Sequence, residues 1–171
     1  MILRKQLLLL SLSVFCGLLL SGCSQQEEAK SYTFHDVYIG AEYLIETDHS
    51  DCEDIYLNED GSLTLVLTES QRKEWTDPSQ MEAILIPLKL MDVAVQYSDD
   101  YTELTISAPD GVAEAASPMI LNFAWQAELY QVLNGVENWS LEVTVINSDT
   151  GKTVQQATLP EEELDWSFVG K

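Results

Sequence analysis

The stretch His35-Asp36, followed by Asp48-His49-Ser50-Asp51-Cys52-Glu53-Asp54, gathers imidazoles, a thiol and carboxylates, the ligand types of zinc and calcium. Spacing argues against zinc, because no pair has the separation of a zinc knuckle or of two histidines one turn apart on a helix. Asn58-Glu59-Asp60-Gly61 could form the middle of a calcium loop with Gly61 sixth. Its first position would then be Tyr56 and its twelfth Leu67, and neither offers the carboxylate needed there. A solvated acidic loop accounts for these residues, and neither metal nor cofactor is expected. Were calcium to bind, Asp48, Asp51 and Asp54 are the carboxylates to test. Gly151-Lys152-Thr153 fails as a phosphate loop, since the glycine required five residues earlier is Ile146. No Gly-x-Ser-x-Gly occurs, and both histidines precede the clearly patterned part of the chain, so a nucleophile–base pair is not legible. Among so many acids, no pair can be singled out for glycoside cleavage.

Trp75, Trp125, Trp139 and Trp166 could stack on sugars, yet Trp125 falls on an amphipathic helical pattern and Trp139 begins a strand, where packing is the simpler role. Trp166 lies in an acidic end and is the candidate anchor of a docking peptide. Cys52 sits among Asp51, Glu53 and Asp54, whose charges raise a thiol's pKa and oppose reactivity.

The elements that would position these groups are read from hydrophobic periodicity. Residues 54–57 and 62–67 form a hairpin around Asn58-Glu59-Asp60-Gly61. Thr68 with Gln71 makes a capping box, and Asp77-Pro78 a second start or a kink. One broken helical stretch over about 69–88, kinked or ended by Pro87, is expected. A second hairpin pairs Val93, Val95 and Tyr97 with Leu104 and Ile106 around Ser98-Asp99-Asp100. Ser117-Pro118 predicts a helix start, the apolar recurrence Met119, Ile120, Phe123, Ala127, Tyr130 and Leu133 its buried face, and Gly135 its stop. A last hairpin joins 139–146 to 153–159. The expected fold is α+β: an antiparallel sheet built of hairpins in ββα-ββα-ββ order, with helices covering one face. The turns at 58–63 and 98–104 also suggest a faint internal repeat.

At the N-terminus, Arg4-Lys5 precede an apolar run to about Leu20, short of the roughly 20 residues that span a bilayer, and small residues follow. This is the pattern of a signal peptide over 1–22. Leu20-Ser21-Gly22-Cys23 resembles the lipobox of bacterial lipoproteins, which implies diacylglycerol on the Cys23 sulfur and cleavage before it. The expected organisation is then a lipidated flexible tether over 23–32, a single α+β domain over 33–159 and an acidic tail over 160–171.

Removal of 22 residues from 171 leaves 149, enough for one core and small for a two-lobed binding protein. Six basic residues then face 29 acidic ones, a formal charge of −23. That charge disfavours nucleic acid and favours a solvated surface or a basic protein partner. Cys16 leaves with the signal and Cys23 carries lipid, so Cys52 has no intramolecular disulfide partner.

Leu57-Asn58-Glu59-Asp60-Gly61-Ser62, the Thr68 helix start, Ser98-Asp99-Asp100-Tyr101-Thr102, Tyr130 to Val136 and Asp149-Thr150-Gly151-Lys152 together resemble a group of uncharacterised lipoproteins of Gram-positive bacteria. The resemblance covers residues 57–158. It implies a bacterial cell and no catalytic residue, and the chain departs from the group in its Pro-interrupted first helix. The functional expectation is a non-catalytic interaction or accessory module, held by lipid on the outer face of the cell membrane. Its rivals are a small envelope hydrolase using carboxylates and a ligand-binding lipoprotein.

Overall fold

The computed structural model describes residues 27–35 and 51–164, the side chains of 113–115 excepted. The fold is α+β. Strands β1 (Lys30–Phe34), β2 (Asp54–Leu57) and β3 (Leu63–Leu67) precede helices α1 (Glu69–Trp75) and α2 (Pro78–Leu90). Strands β4 (Ala94–Tyr97) and β5 (Glu103–Ala108), helix α3 (Val112–Leu133) and the hairpin β6 (Leu141–Asn147) and β7 (Lys152–Leu159) follow.

Two sheets form where one was expected, with strand orders β1-β3-β2 and β4-β5-β6-β7. The three predicted hairpins all form as antiparallel pairs. β5 and β6, however, run parallel, with Leu104 beside Val143 and Ile106 beside Val145, which corrects the expectation of a wholly antiparallel sheet. The reason lies in the connection: 22 helical residues span about 33 Å and return the chain to the end of the sheet from which β5 started. β5 and β6 still present one apolar face, with Leu104, Ile106, Ala108, Leu141, Val143 and Val145 buried beneath Ile120, Phe123, Ala124 and Ala127 of α3. Leu63, Leu65, Leu67 and Phe34 of the smaller sheet belong to the same core. Trp139 is part of it too.

Helix boundaries follow the caps with two corrections. Thr68 and Gln71 close the capping box, and Asp77 caps α2 through the Ser79 N–H at 2.8 Å, so the broken stretch divides at Thr76-Asp77. Pro87 does not end α2. It is exposed inside the last turn, and the helix runs on to Leu90. Nor does Pro118 begin α3. The helix starts six residues earlier, because Ala113-Glu114-Ala115-Ala116 favours helix strongly enough to place the proline inside, at the loss of one backbone hydrogen bond.

The ends of the domain also differ from expectation. β1 begins at Lys30, within the stretch read as a tether over 23–32, and pairs Lys30 with Leu67 and Phe34 with Leu63. Glu27 is held as well: its carboxylate accepts from the Ser70 N–H (2.9 Å) and hydroxyl (2.8 Å) in the first turn of α1. At the other end, the segment read as a tail from residue 160 first turns back on β7. Thr158 donates its N–H to Glu162 at 2.8 Å, and Leu164 packs against the core.

Candidate functional site: a tryptophan-lined acidic cleft

Local capping creates the site. α1 stops at Trp75 because Pro78 holds Asp77 out of helical backbone; the Thr76 hydroxyl caps the Arg72 carbonyl at 2.9 Å, and Asp77-Pro78 restarts the chain as α2 in a new direction. The Gln80 side chain reaches back to the Glu74 carbonyl at 3.2 Å and fixes the elbow. Across from it, α3 presents Trp125, Gln126 and Leu129, one turn of the same helix. Between them lies a cleft of about 240 Å³ lined by Asp51, Glu74, Trp75, Gln80, Trp125, Gln126 and Leu129.

Both indoles are fixed. Trp75 donates its Nε1–H to the Asp51 carbonyl at 3.1 Å, and the Trp125 ring packs 6.3 Å from Phe34 at 37°. Both are half-buried, while Asp51 and Glu74 are exposed at the rim. Arg72 braces the arrangement from behind. It holds the Glu69 carboxylate through two hydrogen bonds (2.9 and 3.0 Å) and donates to the Asn134 side chain at 3.0 Å, tying α1 to the end of α3. The Arg72 contact holds the Glu69 carboxyl down at about 2.

The sequence-derived candidates are not brought together as one constellation. Cys23, Asp48, His49 and Trp166 lie outside the described residues. Asp54 accepts the Ile55 N–H at 2.9 Å, whereas Asp51 is on the cleft rim. Among the described residues, no three His, Cys, Asp or Glu side chains are grouped to hold a metal ion. Cys52 is half-buried, and its thiol is pushed up first by burial and then by Asp54, Asp51 and Glu53. Gly151 sits in the β6–β7 turn, and its N–H donates to the Asn147 carbonyl at 2.8 Å. Trp75 was legible as an aromatic but not as a partner of Trp125, 50 residues away in the chain. The only local signal was Asp77-Pro78, which bends the first of them toward the second.

Rigid indoles beside carboxylates can hold a cation, which gains from the negative ring face and from the charge together. Glutamines at the wall add neutral donors and acceptors. Comparison with known proteins finds no matching family model, no matching curated protein and no matching solved structure. Among the described residues, no helix is long and apolar enough to cross a membrane.

Proposed function

We propose that this chain is a non-catalytic interaction module, tethered through lipid on Cys23 to the outer face of a bacterial cell membrane, that receives a basic side chain of a protein partner. The observation that carries the reading is the cleft itself: two positioned indoles share a wall with Asp51 and Glu74 in a chain of formal charge −21. An acidic surface draws a basic partner by long-range attraction, and an aromatic cleft then selects a lysine or arginine head.

The two halves of the proposal are tested separately. Cys23→Ala in the full chain should abolish labelling by a palmitate analogue and leave the precursor uncleaved or released. Unchanged labelling and fractionation would refute the anchor. For the cleft, titration of a lysine- and arginine-rich peptide, followed by tryptophan fluorescence, should give an affinity that falls about 5- to 30-fold in Trp75→Ala, a variant of unchanged charge. Equal affinity would make the attraction a property of net charge and remove the cleft from the proposal. Turnover of an envelope glycan, lost in a single Asp or Glu variant, would replace the module with a hydrolase.

A further inference from the structure

Helix α2 buries Met81, Leu85 and Leu88 and turns a second apolar stripe outward. Ile86 is 55% exposed and Leu90 84%, the latter the most exposed large hydrophobic among the described residues, and Ala83 and Pro87 are exposed beside them. Positions 83, 86 and 90 follow one another at three- and four-residue steps, so they form a continuous line on the helix surface. Scattered exposed apolar residues are ordinary, but a line of them on one face calls for a cover.

Charge identifies that cover. The chain carries 29 acidic and 8 basic residues, whereas α2 holds one of each, Glu82 and Lys89, and is formally neutral. Seven residues separate the two. They therefore stand within about 20° of each other around the helix and about 10.5 Å apart along it, both on the same flank of the apolar line. A dyad beside Ile86 relates an antiparallel second α2 to the first. It sets Ile86 against Ile86, the small Ala83 against the large Leu90, and Glu82 against Lys89, twice over. All three pairings share one centre, at residue 85.5 to 86.5. A surface that matches itself about one point is what a closed two-fold contact requires.

We propose that the exposed face of α2 is a self-association surface on which a second copy of this chain packs antiparallel about Ile86. The contact is one helix wide, far smaller than a standard interface, so it forms a weak pair that depends on local concentration.

Oxidative cross-linking tests the geometry on the full chain in membrane vesicles, in a Cys52→Ser background. Ile86→Cys beside the dyad should yield a covalent dimer, because cysteines there come within disulfide reach. Gln156→Cys, exposed on β7, should not. Adding Glu82→Lys or Lys89→Glu should each cut the dimer yield at least about fivefold by setting like charges face to face, and the two together should restore it. Failure of the double reversal to restore the yield, or equal cross-linking at Gln156→Cys, would overturn the proposal. So would absence of the Ile86→Cys dimer, whether or not Leu90→Asp loosens the chain from the vesicles, the result expected if lipid covers the stripe. Apart from the half-buried Cys52, replaced in every variant alike, the substituted side chains are exposed, and unchanged unfolding midpoints would verify the fold.

Discussion

The turns at 58–62 and 98–102 are built to one plan and serve different ends. In each, an aspartate accepts from the residue two ahead: Asp60 from the Ser62 N–H (3.0 Å) and hydroxyl (2.6 Å), Asp100 from the Thr102 N–H (3.3 Å) and hydroxyl (2.8 Å). Between them stands a left-handed residue, Gly61 at φ 88° and Tyr101 at φ 57°, whose N–H donates to Asn58 or Ser98 at 3.0 Å. Glycine takes that conformation freely, whereas tyrosine loses about 1–2 kcal/mol. The first turn leaves its left-handed Gly61 in solvent, although Ser62 beside it is buried. The second drives its tyrosine inward to 6% exposure, against Tyr130 at 4.6 Å and Phe123 at 6.2 Å, both edge-on. Buried Gln131 then locks it by donating to the carbonyls of Tyr101 and Ser140, each at 2.9 Å. Backbone strain is tolerated where a buried ring offsets it.

The largest effect should come from the residue the second turn leans on. Phe123→Ala should cost about 3–5 kcal/mol in urea unfolding, a large part of a typical stability of about 5–15. An unchanged midpoint would detach Tyr101 from the core and leave the two turns equivalent. Exchange at the left-handed positions sharpens the contrast further. Tyr101→Gly should relieve strain yet still destabilise by about 1–4 kcal/mol, the ring's burial less the strain it causes. Gly61→Ala should lose about 1–2, from strain alone, since open space surrounds a Cβ there. A stabilised Tyr101→Gly would show that the buried ring does not compensate.

The smallest effect should have the same sign in both turns. Asp60 is held below its ordinary 3.8 chiefly by the Ser62 hydroxyl, and Asp100 by the Ser98 and Thr102 hydroxyls. Between the depressed folded value and 3.8 the unfolded chain binds more protons, so both contributions are present above 3.8 and are lost as pH falls below it. Glu69, lowered from 4.5 to about 2 by Arg72, loses its contribution across that window. Unfolding midpoints measured from pH 6 to 2 should therefore decline less in Asp60→Asn, Asp100→Asn and Glu69→Gln. Both aspartate variants should move in this one direction, and a decline as steep as the parent's in either would remove that turn's hydroxyl contacts from the acid sensitivity.

What was legible locally matches where the physics is local. Asn58 to Ser62, the Thr68–Gln71 box, Asp77-Pro78 and Gly135 satisfy their own neighbours' backbone groups, so their roles follow from a few consecutive residues. Alternation likewise placed Leu63, Leu65 and Leu67, and Leu141, Val143 and Val145, on buried faces. Pro118 misled because a local start signal competed with a helix-favouring run before it. β1 was hidden because Lys30 to Phe34 becomes a strand only when β3 offers its free edge.

By itself the sequence determined the α+β class, the hairpins, most caps and an acidic surface, each governed by period, turn chemistry or composition. Tertiary structure alone decided that β5 and β6 run parallel, that the strands divide into two sheets over one core, and that Trp75 and Trp125 share a cleft. These depend on which distant surfaces meet. The bend at Asp77 is locally encoded, but the direction in which α3 returns the chain and the surface that Trp75 then meets are set by no run of neighbouring residues.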